Sequence, residues 1–167
     1  MDDQLLIRDA VRDDLPMIVE IYNSTIASRM VTADLDPVTV EDREVWFSNH
    51  SPNFRPLWVF TKNQQICAWV SFESFYGRPA YQHTAELSIY IHQDFRSQGL
   101  GSKLLHYAID ACPTLHIKTL VAYIFGHNQP SIKLFENHGF SQWALLPKVA
   151  LLDGIERDLL ILGLRVN

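Results

Sequence analysis

Four absences narrow the possibilities for this 167-residue chain before any motif is considered. Basic residues are in deficit, 14 Lys and Arg against 19 Asp and Glu for a net charge of −5, and no Lys/Arg-rich run or basic helix occurs. That composition excludes the electrostatic footprint of a nucleic-acid-binding protein. Long apolar runs are missing too, since none approaches the roughly 18 residues read as a membrane span. The opening Met1-Asp2-Asp3-Gln4 is acidic, unlike a charged-then-apolar secretory leader. Together these predict a cytoplasmic protein with no membrane partner. Cysteine is scarce: Cys67 and Cys112 stand alone in apolar settings, which points to reduced core thiols and not to a disulfide or metal pair. The seven histidines show no metal-ligand spacing, so no metal is expected. Internal repeats and low-complexity tracts are absent as well.

What remains is ordinary globular material, 47% hydrophobic, and the length suits one full core, so a single domain over residues 1–167 is expected. Leu5 to Arg8 reads as a first strand. A helix follows, with Asp13 or Asp14 as N-cap, Pro16 in the first turn and Leu15, Ile18, Val19, Tyr22 and Ile26 at helical spacing. Residues 27–37 lack a clear period and form either a functional loop or a plain connector. Thr39 with Asp42 matches a capping pattern for a second helix, with Val45, Trp46 and Phe47 as its apolar face. Two strands, 57–60 and 66–72, read as a hairpin, and residues 75–82 form a loop. A strand over 84–92, a helix to about Cys112, a strand over 116–124 and a short helix from Asn128 through Phe135 come next. Two last strands, around 143–146 and 159–164, flank the turn Leu152-Asp153-Gly154. This order implies an α/β sandwich with a mixed sheet.

The stretch Phe95-Arg96-Ser97-Gln98-Gly99-Leu100-Gly101-Ser102-Lys103 joins a strand pattern to a helix pattern. Its two glycines, one residue apart, let backbone approach a ligand and leave N–H groups free to bind an anion. A Walker loop is excluded because Gly101 is followed by Ser102-Lys103, not by Lys-Ser/Thr, and a dinucleotide fingerprint because position 104 is leucine. The pattern that fits is Arg/Gln-x-x-Gly-x-Gly/Ala, filled by Arg96, Gly99 and Gly101. It resembles the acetyl-CoA loop of the GNAT acyltransferase superfamily. A second block, Asn128-x-x-Ser131-x-x-x-Phe135-x-x-x-Gly139-Phe140, follows at the distance expected in that family. Residues 78–90 and 22–32 resemble its phosphinothricin/methionine sulfoximine N-acetyltransferase branch.

The resemblance implies a GNAT-type α/β/α sandwich whose mixed, largely antiparallel sheet is splayed at the acetyl-CoA site. It implies direct acetyl transfer from acetyl-CoA, as cosubstrate, to the primary amine of a small amino-acid-like acceptor, in an enzyme that is usually a homodimer. Glu86 matches the family's carboxylate position and is the expected general base. Alternation places it with Ser88 and Tyr90, away from Leu87 and Ile89. The resemblance further implies that the backbone at Ile89, Tyr90 and Ile91 lies along the pantetheine arm. Arg96, Ser97, Gln98, Gly99, Leu100 and Gly101 would take the pyrophosphate, and Asn128 and Ser131 later CoA atoms; Asn128 is equally a helix N-cap. Arg78 is the candidate to grip an acceptor carboxylate or phosphinate with two parallel bonds, with Arg29, Phe75 and Tyr76 shaping the pocket. Two positions depart from the pattern. Phe135 stands where many members carry a proton-donating tyrosine, and Tyr76 where related enzymes carry another arginine. No general acid is assigned, although His127, His106 and Tyr107 are available. Two other functions compete: acetylation of a protein N-terminus or lysine, and an idle acyl-CoA sensor that keeps only the cradle.

Overall fold

Period-two alternation along the central strands sends successive side chains into two separate apolar layers, and this division organises the molecule. The computed structural model describes residues 4–166; the acidic start read at Met1–Asp3 lies outside them. In chain order the elements are β1 (Leu6–Asp9), α1 (Leu15–Asn23), α2 (Glu44–Ser48), β2 (Leu57–Lys62), β3 (Gln65–Ser74), β4 (Thr84–Ile91), α3 (Leu100–Ala111), β5 (Thr119–Phe125), α4 (Gln129–Asn137), β6 (Ser141–Leu152) and β7 (Ile155–Arg165). The strands form one sheet in the order β1-β2-β3-β4-β5-β7-β6. Among the described residues only β4 and β5 pair in parallel. A parallel pair needs a crossover, and α3 supplies it.

On one face Val70, Phe72, Leu87 and Leu120 pack with Leu100, Leu104 and Ala108 of α3 and Phe135 of α4. On the other, Val59 and Trp69 pack with Leu15, Ile18 and Tyr22 of α1, and Trp46 and Phe47 of α2 lie against them. The sheet is thus covered on both faces, the α/β/α sandwich expected.

Local signals set several boundaries. Asn63 and Gln64 both take positive φ (51° and 66°), the two-residue turn a tight hairpin needs. Thr39 and Asp42 cap reciprocally: the Thr39 N–H donates to Asp42 Oδ2 at 2.9 Å, and the Asp42 N–H to Thr39 Oγ1 at 3.1 Å. Val45 does not join the apolar face. It is 72% exposed, being rotated by about two helical steps from Phe47. Asp14 stands at the N-cap of α1 but makes no side-chain cap bond; its carboxylate instead accepts both Arg8 terminal nitrogens, at 2.7 and 2.9 Å. β5 begins at Thr119 because His116 turns the chain with φ 57°. β6 and β7 run much longer than their apolar cores suggest, closing at a turn where Asp153 and Gly154 take φ of 52° and 80°.

The feature that makes a site is where a ladder stops. β4 and β5 pair at Thr84–Thr119, Ala85–Leu120 and Glu86–Val121, and at no residue beyond. Yet β4 continues against β3 as far as Ile91–Ala68, and β5 against β7 as far as Phe125–Leu159. The sheet therefore splits down its middle just after Glu86.

Candidate active site

The split opens a narrow slot of about 60 Å³ between Leu87, Ser88 and Ile89 on one side and Ala122, Tyr123 and Ile124 on the other, with Asn128, Ser131 and Phe135 of the α4 region at its wall. With no strand partner across the split, the β5-facing backbone groups of Leu87 and Ile89 are available to a ligand that pairs as an added strand, while the Ile91 carbonyl accepts from Arg96.

The chain then reaches the glycine loop. Ser97 and Gly99 both take left-handed φ, 61° and 77°, and Gly99 is the N-cap of α3. Alternating backbone of this kind turns N–H groups into a concave anion cradle at a helix N-terminus. The two glycines serve different needs. A Cβ on Gly99 would meet nothing within 4 Å, so its φ is the reason for glycine there. A Cβ on Gly101 would lie 2.9 Å from Leu134 Cδ2, so α3–α4 packing is a reason for glycine there. Arg96 reaches back, donating from Nε to the Ile91 carbonyl at 3.1 Å and from Nη2 to Ser24 Oγ at 3.1 Å. Gln98 Nε2 donates to the Asp94 carbonyl at 3.3 Å.

Beside the slot is a wider cleft of about 340 Å³. Glu86, Ser88 and Tyr90 of β4, Tyr123 of β5, the loop residues Val31–Ala33, and Val149 and Ala150 of β6 form its walls. No lysine or arginine is among the residues lining it. Burial, reinforced by the negative charge of Glu73, raises the Glu86 carboxyl to about 7. Burial also pushes the Tyr90 phenol up, and that of Tyr123, to which Glu86 and Tyr76 add.

Loop 27–37, for which the sequence leaves two readings open, is a wall of both cavities. Arg29 holds it: Nε donates to Asp153 Oδ2 at 2.9 Å and Nη1 to the Leu35 carbonyl at 2.9 Å. From α4's start, Asn128 Nδ2 donates to the Met30 carbonyl at 3.1 Å, while its Oδ1 accepts from the Ser131 N–H at 3.3 Å. His127 Nε2 donates to the Arg29 carbonyl at 2.8 Å. Tyr22, packed on Tyr90 with ring centroids 5.2 Å apart, is hydrogen-bonded to Thr32 and Asp34.

The structure thus gathers Glu86, Tyr90, Ser131 and the 89–91 backbone around the split, but spends Arg29 and the Asn128 amide on internal ties. Arg78 lies apart, lining a separate hollow of about 230 Å³ with Phe75 and Tyr81. Phe75, Tyr76 and Tyr81 pack on one another, with centroids 4.5 to 6.0 Å apart. Phe135 lines the slot and packs edge-on against Phe140 at 5.0 Å. Of the candidate acids, His106 meets Asp110 at 3.1 Å on the surface, and Tyr107 packs on Phe60 at 6.1 Å. The sequence reading assigned no functional role to two residues of this site. Tyr123 borders both cavities, and Glu73 is the cross-strand partner of Glu86, with the Trp46 indole donating to it. Carrying the β3 alternation one residue past Phe72 would have put Glu73 on the face of Ser71 and Trp69.

Comparison with known proteins aligns residues 18–140 with the acetyltransferase (GNAT) family. The chain belongs to the GNAT family. It is 56% identical over 160 residues to "Putative phosphinothricin acetyltransferase YwnH" of Bacillus subtilis (strain 168), covering 95% of this chain and 98% of that protein. It is 28% identical over 163 residues to the L-methionine sulfoximine/L-methionine sulfone acetyltransferase of Salmonella typhimurium, covering 98% and 95%. Among solved structures, a GNAT superfamily phosphinothricin acetyltransferase from Sinorhizobium meliloti in complex with AcCoA superposes with a TM-score of 0.90 at 26% identity, covering 98% of this chain and 89% of that one. This GNAT protein is an acetyl-CoA-dependent N-acetyltransferase, and acetyl-CoA is its cosubstrate. The slot, the unpaired β4 backbone and the left-handed cradle suit a long thioester with a pyrophosphate. Among the described residues no group of three or more His, Cys, Asp or Glu could hold a metal ion, and no helix is long and apolar enough to cross a membrane.

Proposed function

We propose that the protein acetylates the primary amine of a small amino-acid-like acceptor of the phosphinothricin or methionine sulfoximine type, with Glu86 as general base. The observation that carries this reading is the position of Glu86 on the cleft wall where the β4–β5 ladder ends, with its carboxyl raised to about 7. A base works best when its pKa lies near the operating pH. The amine nitrogen forms a bond to the thioester carbonyl carbon, the carbon–sulfur bond breaks, the thiolate leaves, and Glu86 takes the nitrogen's proton directly or through water.

On the donor side, the backbone of Ile89, Tyr90 and Ile91 lines the pantetheine arm and the loop from Arg96 to Gly101 takes the pyrophosphate. Ser131 faces the slot, and Asn128 supports it by capping α4. Phe135 cannot donate a proton, but a thiol pKa near 8.5 makes the thiolate a tolerable leaving group. On the acceptor side, Arg29 sets the wall of loop 27–37, and Phe75 and Tyr76 stand with Arg78 beside a hollow separate from the Glu86 cleft, so Arg78 would meet only an acidic group that an acceptor extends beyond that cleft.

Glu86→Gln tests the base. Its turnover should fall by roughly 10²–10⁴-fold with acetyl-CoA affinity intact, and the acid limb near pH 7 should vanish from the pH–rate profile. An unaltered profile sinks the assignment. A second reading is favoured by the lack of lysine and arginine in the cleft wall: an acceptor whose tail carries no acid. Thiol release across amino acids, sulfoximines, neutral monoamines, polyamines and peptides separates the two.

A further inference from the structure

We propose that Glu73 is a positioning residue of acetyl transfer: clamped by Trp46, it holds a second carboxylate across the strand from Glu86 and so sets the protonation of the base. This rests on the reading of Glu86 as that base. Glu73 and Glu86 are direct register partners on antiparallel β3 and β4. Directly opposite side chains share a face, with Cβ atoms about 4.5–5.5 Å apart, and like charges there repel. An unrestrained glutamate near the end of a strand would swing into solvent and shed that repulsion.

Glu73 is restrained. Its Oε1 accepts from Trp46 Nε1 at 2.6 Å. Trp46 is itself packed edge-on against Trp69, centroids 5.4 Å apart, and against His50 at 4.8 Å. His50 Nδ1 donates to the Trp46 carbonyl at 2.8 Å, and its Nε2 meets Ser71 Oγ at 3.1 Å, accepting from that hydroxyl in this tautomer. Burial holds the His50 pKa below its ordinary value, which suits the neutral ring this arrangement needs. Ser71 is two residues before Glu73 on the same face of β3. The contacts therefore leave β3 at Ser71, pass through His50 and Trp46, and return to β3 at Glu73.

The other groups around Glu86 do not neutralise the pair. Tyr90 on its own strand and Tyr123 on β5 are phenols, as is Tyr76, and burial first, with the Glu86 charge adding to it, raises the pKa of the first two. From the α1 and α2 side come Tyr22 and Arg43. Arg43 is turned to Asp34 at 3.3 Å, with its guanidinium 4.5 Å from the Tyr22 ring centroid. The Glu73 charge accordingly acts on Glu86 as one of the two causes of its raised carboxyl.

Carboxyl-carbon NMR titration of the full chain, with the Glu86 signal identified by its loss in E86Q, reads the effect directly. In Glu73→Gln, whose amide oxygen still accepts from Trp46, the Glu86 midpoint should fall by about one pH unit, as expected on removing one nearby like charge. Trp46→Phe frees the Glu73 carboxylate and should move it the same way by less. Glu73→Asp, which keeps the charge, should restore part of the shift. The acid limb of the turnover profile should move in parallel, with KM for acetyl-CoA unchanged. An unmoved midpoint in both E73Q and W46F overturns the role of Glu73 and leaves Glu86 as base standing. A moved midpoint with an unmoved rate limb overturns Glu86 as base, and the role of Glu73 with it.

Discussion

Replacing Glu86 by glutamine should make the protein more stable at alkaline pH, at the expense of activity. The Glu86 carboxyl is raised from an ordinary 4.5 to about 7, first by burial and then by the charge of Glu73. A group whose folded pKa exceeds its unfolded value contributes stability fully present below the unfolded pKa and lost as pH rises through the folded one. The window is therefore pH 4.5 to 7, and the loss falls on the wild type alone. At about 1.36 kcal/mol per pH unit the ceiling is about 3 kcal/mol. The cleft is open to water, which screens the charge and brings the expected effect to about 2 kcal/mol. Urea unfolding of wild type and E86Q, followed by the fluorescence of the four tryptophans between pH 5 and 8, checks this. Common titrations cancel in the difference, which should grow by about 2 kcal/mol in favour of E86Q as pH rises. A difference that stays flat across that range refutes the electrostatic account of the cleft, whatever the variant does to turnover.

The donor site makes a separate prediction through backbone alone. Gly99→Ala, at φ 77° with open space around its Cβ, meets no clash. It does pay a left-handed penalty of about 1–2 kcal/mol, which should weaken CoA binding by about 5–30-fold in calorimetry, while Ser97→Gly at φ 61° should bind at least as well as wild type. Equal affinity of G99A and wild type would show that the cradle does not depend on this conformation. Asn128→Ala removes the cap of α4 and leaves the Met30 carbonyl without its donor. It should cost about 1–2 kcal/mol in urea unfolding and raise the acceptor KM through the loosened loop wall, and a KM unchanged in a destabilised variant would remove the loop from the acceptor site.

Much of the fold was legible because its signals are local. The Thr39–Asp42 cap, the Asn63–Gln64 turn and the Asp153–Gly154 turn each depend on a few consecutive residues, and each occurs where the pattern puts it. Strand ends were less legible. β6 is mostly exposed, so its length comes from pairing with β7 and not from an apolar run. The surroundings of the arginines were less legible for a related reason. A guanidinium's value for binding depends on what else competes for its donors, and Arg29 is engaged by Asp153 and the Leu35 carbonyl, far from it in sequence or folded back on it. Arg78 was read by its chemistry, and only the fold shows that its loop lines a hollow separate from that of Glu86.

By itself the sequence determined the family and, with it, the acetyl-CoA cosubstrate. Left-handed glycine at position 99, a helix beginning at Leu100 and the alternation through Glu86, Ser88 and Tyr90 are properties of short stretches, set by sterics and by the two-residue period of a strand. The tertiary structure alone decided the rest: that the β4–β5 ladder ends after Glu86, that loop 27–37 walls both cavities, and that Glu73 faces Glu86 under the Trp46 indole. Those facts depend on strand register and on which side chains meet across the fold, and a one-residue slip in register would reverse every one of the faces involved.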